Sequence, residues 1–172
     1  FSKFWVPSDS MRERCVRDGV QYDRWNADGH LETTTGNVTD YNYIRKFIVD
    51  FSKKHNVKKI AVDRWAAQST IVELAGEGVE MLGWGQGFAS MSEGTKLLET
   101  YLEQEKLYHR GHPVLEWNAS NLCVDEDAAG NIKPSRKRST EKIDGMVCLS
   151  MAIGLHATTE KQASQDWNIY EL

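Results

Sequence analysis

The sequence predicts an α/β layered fold, and three observations carry that prediction. Strand-length apolar runs alternate with amphipathic helical stretches from Leu31 onward. A segment near the C-terminal end is apolar nearly all round, as a helix packed on more than one side would be. The chain of 172 residues has the length of one domain and shows no internal repeat.

Phe1–Val6 alternates and is rich in aromatic residues, so it reads as a strand ending at Pro7. Ser8–Gly29 is polar, with short helices expected at Met11–Arg17 and Tyr22–Ala27. Leu31–Thr35 is a short strand stopped by Gly36. Thr39 caps the clearest helix in this reading, with Asp40 at its positive end and Tyr41, Ile44, Phe47, Ile48 and Phe51 on one face. Strand Val57–Val62, helix Ala66–Ala75, strand Val79–Trp84 and helix Ser92–Lys106 follow. A hairpin is expected from Leu122–Glu126, a turn at Asp127–Gly130 and Asn131–Lys133. The last helix is placed from about Thr140 to His156. Residues 1–158 then form the domain and residues 159–172 a polar tail.

Composition excludes several classes. Apolar residues at 40% and charged residues at 27% rule out collagen-like and largely disordered chains. No apolar run approaches the roughly 18 residues of a membrane span, so no membrane partner is expected. The net charge of −4 argues against a strongly cationic coat for nucleic acid but allows a local basic patch. Three cysteines, widely spaced and without a CxxC, make a disulfide framework or zinc ribbon unexpected and fit a reducing cytoplasm. The chain begins at Phe1 rather than Met, which reads as a fragment.

Two carboxylates stand out. Asp63 ends the apolar run Ile60-Ala61-Val62, and ligands of open α/β sheets gather beyond the carboxyl ends of strands. Its alternatives are a helix cap or an ion pair with Arg64. Asp144 is read as lying one turn inside the apolar last helix, where an ionised carboxylate is costly unless paired. Its alternative is a carboxylate stabilised by the helix dipole. Carboxylates from distant segments can share a hard divalent cation such as Mg²⁺ or Mn²⁺. The run Lys133, Arg136, Lys137, Arg138 and Lys142 leads into Asp144, and such a cationic loop suits a phosphodiester substrate.

Other features are weaker. Gly83-Trp84-Gly85-Gln86-Gly87 follows a strand, but Phe88 stands where a GxGxxG loop needs its last glycine. No GxxxxGK[ST] occurs. His109 and His112 read as structural, Asp125–Asp127 as hairpin-turn residues, and Cys123 and Cys148 as buried rather than nucleophilic.

Six motifs occur in order: Phe4-Trp5-Val6-Pro7, Gly36-Asn37-Val38-Thr39-Asp40, Ile60-Ala61-Val62-Asp63-Arg64-Trp65, the run Gly85–Ser92, Gly111-His112-Pro113-Val114-Leu115 and the run Ser139–Gly145. Together they resemble the C-terminal nuclease domain of tailed-phage terminase large subunits, over about residues 4–156. The resemblance implies an RNase H-like fold, with a mixed central sheet flanked by helices and a hairpin insertion before the last helix. It also implies that the family's first strand, with its first acid, lies upstream of Phe1. By the same resemblance, Asp63 and Asp144 would be catalytic ligands of two divalent cations, Mg²⁺ or Mn²⁺, that cut concatemeric viral DNA by in-line hydrolysis. Lys142 falls on a family lysine, and the loop bearing Gln86 and Ser90 would touch DNA with Lys133, Arg136 and Lys137. Expected partners are double-stranded DNA, the terminase ATPase domain, the small subunit and the portal, in the cytoplasm of an infected or lysogenic bacterial host. Two rival readings remain: a non-catalytic DNA- or portal-docking module, and a small-molecule α/β domain using the Gly83–Gly87 loop.

Overall fold

Parallel strand pairs joined through helices make up the first half of the chain, and a helix-flanked hairpin the second. The computed structural model describes residues 2–64 and 68–168. In chain order the elements are β1 (Trp5–Pro7), α1 (Met11–Asp18), α2 (Tyr22–Ala27), β2 (Glu32–Thr34), α3 (Tyr41–Lys54) and β3 (Ile60–Asp63). There follow α4 (Gln68–Gly76), β4 (Met81–Trp84), α5 (Phe88–Glu103), α6 (Pro113–Asn121), β5 (Val124–Glu126), β6 (Ile132–Pro134) and α7 (Asp144–Asn168). Among the described residues β1 pairs with β2 and β3 with β4, both parallel, while β5 and β6 are antiparallel. The α/β class is therefore the one expected, its mixed character spread over three strand pairs.

Local chemistry sets the element ends. Asp40, not Thr39, caps α3: its carboxylate accepts the Asn42 N–H at 2.9 Å. Tyr41 does not join the apolar face but stays exposed, and Val49 is the buried residue of α3. Helix α5 begins at Phe88, four residues before the expected start, with Gly87 as its cap residue. Helix α6 was not anticipated, although Pro113 at its start is a common N-terminal residue with its φ already set for a helix. The hairpin turn is organised by Asp127, whose carboxylate accepts the N–H groups of Ala129 and Asn131, each at 2.9 Å. Ala66 and Ala67 of the expected fourth-segment helix lie outside the described residues.

Helix α7 is the spine. It starts at Asp144 and runs through Asn168, later and longer than the expected Thr140–His156. Met146, Val147, Ser150, Met151, Ile153 and Leu155 along it are all buried. It meets α5 backbone to backbone: a Cβ on Gly94 would lie 2.1 Å from the Ser150 carbonyl and 3.0 Å from the Gly154 nitrogen. Only glycine at that crossing lets the two helices approach so closely. One core cluster joins Met91 of α5 to Ile143, Val147 and Met151, with Ala61 of β3, Trp84 of β4 and Leu122 packed against it. That cluster ties the parallel pair β3–β4 to the first turns of α7.

Candidate metal and phosphate site

The two singled-out carboxylates follow, in sequence, residues of this shared cluster. Asp63 closes β3, two residues after Ala61, and is paired in register with Trp84. Asp144 opens α7, next to Ile143. The expectation that Asp144 is buried is overturned, because the helix starts at this residue rather than one turn earlier. Its side chain is 56% exposed, and Oδ1 lies 2.5 Å from Nη1 of Arg136. The ion pair and the positive helix end explain an ionised carboxylate here without any burial. The helix start is fixed from outside: the Gly145 N–H donates to Oδ1 of Asn118 at 2.8 Å, and Nδ2 of Asn118 donates to the Val114 carbonyl at 2.8 Å. Gly145 is needed because the Phe4 ring packs onto it; a Cβ there would fall 2.9 Å from that ring.

Asp144 lines a depression of about 140 Å³ together with Phe4, Trp5, Arg14, Trp117 and Lys142. Beside it, the Asp18 side chain is 5% exposed and bonds Arg17 at 2.6 Å and the Tyr22 hydroxyl at 3.0 Å. The bond from Arg17, against an opposing effect of burial, holds the Asp18 carboxyl below its usual range, with Lys142 adding to the effect. Burial and the bonded Asp18 push the Tyr22 hydroxyl upward, so it stays protonated. Cys148 is solvent-exposed rather than buried. Local desolvation and the nearby Asp144 charge nevertheless raise its thiol above the usual value, which keeps it in the non-nucleophilic form.

A second depression, of about 290 Å³, is lined by Arg64, Gly83, Trp84, Gly85, Ser90 and Glu93. The Arg64 guanidinium crosses Gly85 so closely that a Cβ would sit 2.5 Å from Nη2 and 2.7 Å from the Ser90 hydroxyl. The glycine in this loop therefore accommodates Arg64. Gln86 turns toward α7, its Nε2 3.3 Å from the Met151 sulfur, and the Ser90 carbonyl accepts the Trp84 indole N–H at 3.1 Å. Lys133 holds its ammonium 5.1 Å from the centre of the Phe88 ring, and Lys137 is exposed on the turn before α7. The structure thus gathers Arg136, Lys142 and Asp144 at one end of α7. Asp63 and Ser90 sit by Trp84 and Arg64, and Lys133 sits on α5.

His109 and His112 do not form a pair. His109 lies 3.8 Å from Glu116, whereas His112 packs its ring 5.3 Å from Phe4 and 5.5 Å from His30. Among the described residues no three His, Cys, Asp or Glu side chains come together as a metal cage. The donor chemistry of Asp63 and Asp144 still fits a hard cation, since Mg²⁺ commonly takes one or two carboxylates and fills its remaining positions with water and phosphate oxygens. Arg14 and Asn118 were missed by the sequence reading. Arg14 stands outside the basic run, and the capping role of Asn118 spans 27 residues of sequence, so no local pattern announces it.

The family model for the terminase large subunit, endonuclease domain, matches residues 3–160. The chain is 33% identical over 156 residues to the terminase large subunit of Enterobacteria phage HK97, covering 90% of this chain and 31% of that protein. It is 30% identical over 167 residues to protein YmfN of Escherichia coli strain K12, covering 93% of this chain and 36% of YmfN. The crystal structure of the HK97 large terminase superposes with a TM-score of 0.81 at 33% identity, covering 88% of this chain and 32% of that one. The chain spans about a third of the length of these curated relatives. This similarity bears out a mixed α/β fold consistent with the RNase H-like layout.

Proposed function

Because the chain belongs to the family of terminase large subunit endonuclease domains, we propose that it is a divalent-metal-dependent DNA endonuclease domain that cuts concatemeric viral DNA. The observation that carries this reading is the exposed Asp144 at the start of α7, set among Arg136, Lys142 and the depression they border. Asp63, at the end of β3, and Asp144, at the start of α7, would supply carboxylate oxygens to two cations, Mg²⁺ or Mn²⁺. When bound, such cations activate water and stabilise a leaving oxygen in phosphodiester hydrolysis.

The chain's own side chains do the rest. Lys142, Lys137, Lys133 and Arg136 attract and orient phosphates, with Arg136 also fixing the Asp144 carboxylate. Ser90, in the first turn of α5 beside Arg64, would contact the sugar-phosphate backbone, as would Gln86 on the preceding loop once its amide leaves Met151. Such contacts carry no base information, so cutting should be weakly sequence-dependent. Packaging partners (the ATPase domain, small subunit and portal) and a site of action in the host cytoplasm follow from the same reading.

Plasmid cleavage in Mn²⁺ tests it, using this chain, a version extended upstream, and Asp144→Asn in each. We expect cleavage that requires the metal and falls with Asp144→Asn by more than the roughly 10–100-fold typical of an outer-shell change. DNA that is retained but never cut by any form, with or without metal, would instead favour the docking module.

A further inference from the structure

We propose that Arg14, on α1, is a phosphate-binding residue of the DNA site, acting with Lys142 across the depression that holds Asp144. The proposal deepens the nuclease reading and rests on it for the identity of the substrate. Arg14 is half-buried, and its Nε donates to the Ser10 hydroxyl at 3.1 Å. The Ser10 hydroxyl in turn donates to the Asn37 carbonyl at 3.4 Å, so the base of the guanidinium is held while its two terminal nitrogens remain for another acceptor. Among the described residues no carboxylate lies within ion-pair distance of Arg14. Arg17, Arg45 and Arg136 are, by contrast, paired with Asp18, Glu73 and Asp144.

A half-buried cation without a counter-charge is costly, and that cost is relieved when an anion arrives. The planar guanidinium fork suits two oxygens of one phosphate, a match that lysine cannot reproduce. Trp5, Tyr22 and Trp117 wall the same depression, and such apolar walls strengthen a charge pair formed there. The space of about 140 Å³ is below the roughly 300–1,000 Å³ of small-molecule sites, so it fits a single group carried on a larger ligand. Asp144 does not repel that group strongly, because Arg136 already counters its charge. Asp18 is likewise countered by Arg17. Lys142 in turn lies 4.0 Å from Glu141, so the uncompensated charge facing the depression is that of Arg14, positive as a phosphate of the DNA backbone requires.

The test measures binding of a labelled DNA duplex in EDTA across a salt series, where no cutting occurs. Arg14→Gln should weaken binding about three- to tenfold and make the dependence on salt shallower by about one phosphate contact. Arg14→Lys should keep the salt slope but not the full affinity. Ser10→Ala, which releases the guanidinium without changing charge, should weaken binding by a smaller factor. Arg24→Gln removes an equal charge from α2 and should change neither quantity. An unchanged slope in folded Arg14→Gln overturns the proposal. If Arg14→Gln does not fold, unchanged affinity in Ser10→Ala overturns it and weakened affinity supports it. Plasmid cleavage in Mn²⁺ separates the two readings. Arg14-dependent binding without any cleavage leaves this assignment standing and removes the nuclease; absence of DNA binding by the wild-type chain removes both.

Discussion

Asn118 shows how one side chain can position a site it does not touch. It is 2% exposed, caps α7 through Gly145 and braces its own helix through Val114. Truncation to alanine leaves the half-buried Gly145 N–H without its acceptor, at a cost of about 1–3 kcal/mol, while the Val114 carbonyl keeps its helical partner. Asn118→Ala should therefore lower stability by about 1–3 kcal/mol in denaturant titration and loosen the turn that presents Asp144. Asn118→Asp keeps the acceptor for Gly145 but buries a charge and sets an oxygen against the Val114 carbonyl, so it should cost at least as much. Arg136→Ala is different in kind. Its pair with Asp144 is more than half exposed on both sides, so the loss should stay within about 1 kcal/mol while DNA affinity falls. At this scale the sequence pointed to Asp144 and its basic approach, because charge and local spacing are written in the chain. It misjudged the burial of Asp144 because a shift of the helix start by one turn moves a residue from the interior to the end. Arg14 was illegible, since nothing local says that helix α1 folds back beside residue 142.

The element on which most of the molecule depends is α7, and its closest neighbour is α5. At Gly94 there is no room for a methyl group, and the atoms in the way, those of Ser150 and Gly154, are backbone. Gly94→Ala must push the helices apart, so a loss of at least about 2–3 kcal/mol is expected, as for an overpacked core. Gly76, at the end of α4, makes the contrast. Nothing lies within 4 Å of its would-be Cβ and its φ is ordinary, so Gly76→Ala should be neutral or stabilising by about 0.4–1 kcal/mol. Thermal melts of the two variants should move in opposite directions. Most elements were legible in the sequence because their apolar periodicity was strong; Tyr22–Ala27 is observed with the expected bounds. Helix α6 was not, because its buried residues Val114, Leu115 and Asn118 include a polar one. A short helix stabilised by tertiary contacts carries little periodic signal of its own.

Taken whole, the molecule should lose stability in acid in two stages. The aromatic cluster of Val6, Tyr22 and Leu31, with Trp25 and Trp117 against it, is bordered by His30, whose ring meets that of His112. Burial, and then the neighbouring His30, lower the His112 pKa below its ordinary 6.5, with Glu116 opposing. Its Nδ1 is buried without a hydrogen-bond partner among the described residues, which fits a neutral ring. A histidine held neutral in the folded state binds fewer protons there than when unfolded. Its stabilising contribution is therefore complete above about pH 6.5 and declines as pH falls from that value toward the lowered folded pKa. The second stage belongs to Asp18. Its folded pKa lies below the ordinary 3.8, so its contribution persists above that value and is lost as pH drops further. Melting temperature should thus decline first as pH falls below about 6.5 and again below about pH 4. His112→Asn, which keeps a residue favoured at a helix start, should flatten the first decline and leave the second. Asp18→Asn should do the reverse while lowering stability at neutral pH, where the Arg17 and Tyr22 bonds to a charged oxygen are lost. A single decline below pH 4 that His112→Asn leaves unaltered would show that the ring is solvated in the folded chain and that the packing of Phe4 and His30 around it does not control its proton.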